Sequence, residues 1–411
     1  MLDYTFLLEW AQFAVRWLHV ITAIAWIGSS FYFIALDLGL RPEKDQPAGV
    51  HGAAWQVHGG GFYHIQKYLV APAKMPDELT WFKWESYATW MSGFAMLVLL
   101  YWSQAQFYLI DPAVLELPVW GAILVSAGSL TIGWILYDAI CKSKLGDNST
   151  TLMVLLYVIL VVMAWGYTQV FSGRAALLHL GAFTATVMSA NVFFIIIPNQ
   201  KIVVADLKAG RTPDPKYGKI AKQRSTHNNY LTLPVLFMML SNHYPLAFAS
   251  DYNWVIASLV FLMGVSIRHF FNSQHAHKGT PWWTWGVTAV LFGLCVWLSS
   301  LHSEPAEEEA ALSPMESRFA SAAGFEEVTD IVISRCSMCH AQEPAMDGIT
   351  RAPKSIHLET PDEVARAAHQ IYVQAGLTHA MPPANLSFME PAERAAIRSW
   401  YRLATGAADN G

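Results

Sequence analysis

The sequence predicts an all-α protein: an eight-helix transmembrane bundle followed by a small, polar, all-α domain. Three observations carry this. Of 411 residues, 54% are hydrophobic and only 14% charged, where a soluble protein carries about 25% charged residues. Eight apolar stretches are long enough, or nearly so, to cross a ~30 Å hydrocarbon core. The charge is also uneven. Residues 1–300 hold 18 Lys+Arg and 15 Asp+Glu, whereas residues 301–411 hold 8 and 16. The 17 Trp suit a protein with membrane interfaces. A net charge of −5 leaves no basic stripe for nucleic acid.

The spans are expected at 13–36, 84–104, 118–140, 151–171, 175–197, 229–248, 253–271 and 282–300. The first is too long for a signal peptide, and its MLDYTFLLEW start lacks a basic segment. The sixth and seventh are the least uniform, with Asn242, His243, Arg268 and His269 near their ends. Lys and Arg concentrate in the odd-numbered connections. These hold Arg41, Lys44, Lys67, Lys74 and Lys83, then Lys142 and Lys144, then seven between Lys201 and Arg224, then Arg268 and Lys278. The even-numbered connections hold only Arg174. Positive charge marks the cytoplasmic side, so both termini are expected to face outward from a bacterial inner membrane. Residues 1–300 form the membrane domain. An acidic, Ala/Pro-containing linker follows over 301–316, and a periplasmic domain over 317–411.

Residues 336–340 read Cys-Ser-Met-Cys-His. C-x-x-C-H is the attachment pattern of haem c: Cys336 and Cys339 form thioethers with the vinyl groups, and His340 ligates the iron from below. A zinc site would want a second cysteine pair, and a thioredoxin-like pair a βαβ context; neither is visible. Met381, in THAMPPANLS, is the candidate sixth ligand, its Pro-Pro stiffening the segment. Met346, Met389, His357, His369 and His379 are the alternatives. The segment resembles the Met-Pro stretch of small class I cytochromes c, and EPAERAAIRSWYRLA resembles their C-terminal helix, ending at Gly406. Cys141 and Cys295 read as buried, inert thiols.

Ionisable residues within spans point to function. His19, His179 and His243 fall toward the outer side, with Arg16 one turn from His19. They are candidate ligands of a b-type haem, Arg16 pairing with a propionate. The alternative is three separate histidines, each bonded to a neighbouring helix. Toward the inner side fall His58, His64, Lys67, Lys83, Glu85, His227, Asn228, Asn229, Arg268 and His269. In HGGGFYHIQK three glycines lie between His58 and His64, and glycine lets backbone approach a ligand closely. Donors, acceptors, a base and flat faces such as Tyr63 and Trp84 together suit a planar, polar, anionic heterocycle. Lys67 and Arg268 are read as snorkelling to water. His275 and His277 receive no role.

WIGSSFYF (26–33), HGGGFYHIQKY (58–68), LTWFKWESYATWMSGF (79–94) and RSTHNNYLTLPVLFMMLSNHYP (224–245) resemble the membrane-bound urate oxidase (PuuD) family. The resemblance covers the whole chain, an eight-span domain followed by a periplasmic cytochrome c. It implies oxidation of urate to 5-hydroxyisourate, with electrons passing to the haem c and on to a periplasmic cytochrome or terminal oxidase of the respiratory chain. The urate site is a physical inference rather than a carry-over. His64, His227 or Glu85 would serve as base. Lys83 or Lys67 would neutralise the anion, with His58, Asn228 and Asn229 also contacting it. A rival enzyme class is a quinol or other small-molecule dehydrogenase feeding the fused cytochrome. A merely anchored electron carrier would not need the many polar residues in the spans. A haem–copper oxidase would need paired histidines on one helix, and none is seen.

Overall fold

The computed structural model describes residues 4–69, 72, 76–301, 311–347, 349 and 352–406. Lys74 and most of the 301–316 linker lie outside them. The chain divides into two compact units. The first is Leu7–Asn242 with Leu246–Ser303, and the second is built mainly from residues beyond 303.

The first unit begins with α1 (Tyr4–Gly39), 36 residues long and therefore about 54 Å at 1.5 Å per residue. Next comes a feature the sequence reading missed. Two antiparallel strands, β1 (Val50–His58) and β2 (Gly61–Tyr68), pair through Val57↔Phe62, Trp55↔His64 and Ala53↔Gln66. The all-α expectation is corrected here, for a specific reason. Gly59 and Gly60 both have positive φ, +59° and +77°, and form the two-residue type I′ turn that matches strand twist. These glycines close a hairpin rather than approach a ligand.

The helices that follow are α2 (Trp84–Met96), continued by a π-helical turn Leu97–Trp102, and the short α3 (Ala105–Tyr108). Then come α4 (Val119–Lys142), α5 (Ser149–Thr168) and α6 (Gly173–Ala190). A second π turn, Asn191–Ile196, joins α6 to α7 (Ile197–Lys208). The unit ends with α8 (Pro215–Ser241), α9 (Pro245–Phe248), α10 (Asn253–His275) and α11 (Trp283–Ser300). Among the described residues, six helices are long and apolar enough to cross a membrane: α1, α4, α5, the continuous α6–α7, α10 and α11. The other two expected spans fall on α2 with its π turn and on α8. Glu85 and several Ser, Thr and Trp dilute the first; in the second the helix ends at Ser241, and the apolar run is preceded by Arg224, His227, Asn228 and Asn229.

The α6 helix is the centre of the bundle, whereas α1 and α11 are mostly exposed. Leu152, Leu177, Leu180, Met238, Ala257 and Val260 fill the core between α5, α6, α8 and α10. Small residues let helices close in without a hydrophobic driving force. A Cβ on Gly181 of α6 would sit 2.7 Å from that of Met238 on α8, so only glycine permits this approach.

The second unit contains α12 (Pro314–Ala320), α13 (Phe325–Cys336), α14 (Pro361–Arg366), α15 (Ala368–Ile371) with a π turn Tyr372–Leu377, and α16 (Pro391–Thr405). Ser313/Glu316, Thr360/Glu363 and Glu390/Glu393 form capping boxes, which satisfy orphan N–H groups at three helix starts. Gly406, at φ +72°, closes α16. Trp400 Nε1 donates to Phe319 O at 3.0 Å, which fixes the last helix on the first.

Candidate functional site

In the first unit, the polar side chains concentrate along α8, at the end of the bundle where the basic connections lie. The sequence spaces Arg224, His227 and Asn228 three and four residues apart, which places them on one helical face. That face meets α4 and the π turn after α6. Tyr137 Oη and His227 Nδ1 share a 2.7 Å hydrogen bond. Asn191 Nδ2 donates both to Tyr137 Oη (2.9 Å) and to Asn228 Oδ1 (3.1 Å). Asn228 Nδ2 in turn donates to Met188 O at 3.0 Å. Arg224 Nη2 donates to Asp138 Oδ1 at 2.7 Å, and its guanidinium lies 4.9 Å from the Tyr137 ring centroid. Lys142 Nζ reaches the other Asp138 oxygen at 2.5 Å. The π turn matters because it resets the helical phase and aims Asn191, fully buried, into this layer.

The neighbouring face of α8 carries Asn229, whose Oδ1 accepts from Arg268 Nε at 2.7 Å. Arg268 Nη2 donates to Asn272 Oδ1 at 3.0 Å, and its guanidinium lies 4.1 Å from the Phe31 ring centroid on α1. Arg224, His227, Asn228, Asn229 and Arg268 are all buried. Guanidinium, amide, phenol and imidazole groups thus share one layer of an otherwise apolar bundle. Such a layer can hold an anion, read amide edges and move a proton.

Of the inner residues singled out by sequence, His227 and Asn228 are linked through Tyr137 and Asn191, and Asn229 is bonded to Arg268. Among the described residues, no hydrogen bond or ion pair joins these to His58, His64, Lys67, Lys83 or Glu85. His64 lies on the hairpin, stacked on Trp55 at 4.2 Å, with Nε2 3.0 Å from Glu43 Oε2. Trp55 Nε1 donates to the second Glu43 oxygen at 2.9 Å. His58 is exposed at the hairpin tip, in a groove with Tyr32, Gln56, Val57 and Tyr63. Lys67 pairs with Asp37 at 2.7 Å. Lys83 Nζ lies 5.8 Å from the Trp84 ring centroid. Glu85 has one carboxylate oxygen sealed without a partner. Arg268, read as a snorkelling residue, is instead buried and bonded, which corrects that expectation.

Sequence reasoning missed Tyr137, Asp138 and Asn191, and counted Arg224 only as an orientation charge. The signal was present: Asp138 is the one acid in 118–140, and Asn191 interrupts an apolar run.

His19 and His179 turn to different neighbours. His179 is completely buried and both ring nitrogens are engaged, Nδ1 donating to Ala175 O (2.8 Å) and Nε2 meeting Ser126 Oγ (2.7 Å). Trp102 Nε1 donates to the same hydroxyl at 2.9 Å. His19 turns to α2 instead, with Nδ1 3.1 Å from both Thr89 O and Ser92 Oγ. Arg16 lies one turn earlier on α1, and His243 is exposed just past α8. This set does not fit a shared b-type haem, because His179 is satisfied within the protein and faces α4 rather than His19.

In the second unit, Cys336 ends α13 as a free thiol. Cys339 N and His340 N both bond to Cys336 O, at 3.1 and 2.9 Å, which puts the two thiols on one turn. Burial pushes the Cys336 thiol up to about 11, with Cys339 adding to the effect. His340 Nδ1 donates to Ile356 O at 2.9 Å, and Leu358 N donates to His340 O at 2.7 Å. The first bond fixes the tautomer and leaves the Nε2 lone pair open to a metal, as in histidines that serve as ligands. Met381 is held through its backbone: its N donates to Gln374 O at 2.9 Å, and Arg394 Nη1 donates to its carbonyl at 2.8 Å. Met389 is buried, His369 meets Tyr401 Oη at 2.9 Å, His357 lies 3.9 Å from Glu363, and His379 is exposed. Thiol spacing, histidine tautomer and restrained methionine therefore fit a covalently bound haem c.

No curated protein and no solved structure matches the chain. The profile of the urate oxidase N-terminal family matches residues 5–299, which takes in all eleven helices and the hairpin of the first unit. By that match, the chain belongs to the urate oxidase N-terminal family.

Proposed function

We propose that the chain oxidises urate to 5-hydroxyisourate in the polar layer on α8 and passes the electrons singly to a haem c held by Cys336, Cys339, His340 and Met381. Family membership supports urate as the substrate. The observation that carries the site is the convergence of Arg224, Tyr137, His227, Asn191 and Asn228 in an apolar bundle. In this reading α2 and α8 complete an eight-span bundle in the bacterial inner membrane. The basic connections face the cytoplasm, so urate enters from there, and the C-terminal unit is periplasmic.

The reaction balances as urate monoanion plus water giving 5-hydroxyisourate, two electrons and one proton. His227 is the base that takes a proton from the attacking water, with Tyr137 fixing its ring. A positioned base of this kind contributes roughly 10²–10⁴-fold. Asn191 Oδ1, buried without a partner among the described residues, is the acceptor offered to a substrate N–H, and Asn228 holds Asn191 in place for it. A bound haem c supplies one-electron acceptance at a potential raised by its methionine ligand. His340 and Met381 would hold it in the second unit, and a soluble cytochrome or terminal oxidase would drain it.

Oxygen labelling tests the reaction. In ¹⁸O-water, with a cytochrome as acceptor, the new C5 hydroxyl should carry the label and no peroxide should form. Label drawn from O₂, or peroxide matching urate consumed, would contradict the proposal.

A further inference from the structure

The two buried guanidinium groups differ in how their charge is met. Arg224 has a carboxylate partner in Asp138 at 2.7 Å, and its remaining Nε and Nη1 atoms are sealed from solvent without partners. Arg268 is 5% exposed, yet among the described residues it forms no ion pair. Its partners, Asn229 and Asn272, are neutral amides. They occupy Nε and Nη2 and fix the guanidinium plane, while Phe31 covers one face at 4.1 Å. Nη1 has no partner among the described residues, and unlike the spare nitrogens of Arg224 it is not sealed off. A buried cation without a counter-charge is costly, and the cost falls when an anion completes the set.

Resting on the function proposed above, we infer that Arg268 receives the negative charge of the urate anion through Nη1, with Asn229 and Asn272 holding the guanidinium for it. The cations that the sequence offered for this role, and the lysine beside Arg224, have partners already. Lys67 pairs with Asp37, Lys142 with Asp138, and Lys83 sits against Trp84. Arg224 is the neutralised member of the pair. Its part is to hold Asp138 and Tyr137 in place.

Two readouts on the purified full chain test this. In the first, oxidised protein is mixed anaerobically with increasing urate, and the reduced c-type band is followed. Arg268→Gln should raise the half-saturating urate about 10–100-fold, the loss of one charge-assisted hydrogen bond. The limiting rate should stay within a few-fold, and Arg268→Lys should recover part of the loss. In the second, dithionite-reduced protein, which cannot turn over, is melted with and without urate. Wild type should melt higher with urate, and Arg268→Gln should lose that increment. Should Arg268→Gln fail to fold, Asn272→Ala, which removes one brace, should still raise half-saturation several-fold. A wild type that responds to urate while these variants keep its half-saturation and its urate-dependent melting shift would overturn the inference and leave the proposed function standing. A wild type that urate neither reduces nor protects would overturn both.

Discussion

Tyr137 on α4 and His227 on α8 are joined by a 2.7 Å hydrogen bond, buried 90 residues apart in sequence. The bond orients an imidazole in the one layer where amides and guanidinium groups also converge. Tyr137→Phe removes the oxygen that meets His227 and accepts from Asn191. Leaving buried partners unmet costs roughly 1–3 kcal/mol. Urate-driven reduction of the c-type band should slow at least tenfold while dithionite reduction is unchanged. Equal slowing of both would place Tyr137 outside the urate reaction.

Asp138 separates two cations with very different surroundings. Arg224 is 1% exposed at its side chain, whereas Lys142 is 63% exposed. Asp138→Asn should therefore strand a buried guanidinium and cost about 3–5 kcal/mol. Lys142→Ala removes only an exposed i,i+4 pair, worth about 0.3–0.5 kcal/mol. Thermal unfolding in detergent should show a large drop for the first variant and almost none for the second.

In the second unit Glu393 sits under opposing influences. Burial raises its pKa, but hydrogen bonds from Arg335 and from Glu390 N, with the Arg335 charge, win and lower it below the usual carboxylate value. A lowered carboxylate contributes stability that is present above the unfolded value of about 4.5 and is lost as pH falls through the folded one. Glu393→Gln should therefore destabilise the protein at pH 7, and the gap from wild type should close as pH falls below about 4.5. A gap of constant size from pH 7 to pH 3 would show that the 2.8 Å Arg335–Glu393 pair does not act through charge.

The two expected iron ligands should fail differently. His340→Ala removes the residue whose tautomer is set by Ile356 O, and haem incorporation should largely be lost. Met381→Ala should leave the thioethers intact but shift the reduction potential and the ferric spectrum. A spectrally silent Met381→Ala would move the sixth ligand to Met389 or His379.

How far the sequence could be read follows from where each signal resides. Six spans are visible because twenty consecutive apolar residues need no tertiary knowledge. His227, Asn228 and Asn229 stood out because three polar side chains together at a span are costly. Tyr137, Asp138 and Asn191 did not, because each is a single polar residue in a run whose partners lie on other helices. Arg268 was discounted because a residue near a helix end is usually hydrated, and only the structure shows it beneath Phe31. The hairpin was hidden by its own glycines, since positive φ at Gly59 and Gly60 serves a turn as readily as a ligand.

The central claim is that urate is the electron donor and the C-terminal haem c its acceptor. The most direct measurement oxidises the purified chain, removes oxygen, adds urate in sub-stoichiometric steps and follows the reduced c-type band. The account predicts that each urate reduces two haem equivalents, since each haem takes one electron. No reduction by urate, in a sample that dithionite still reduces, would contradict it.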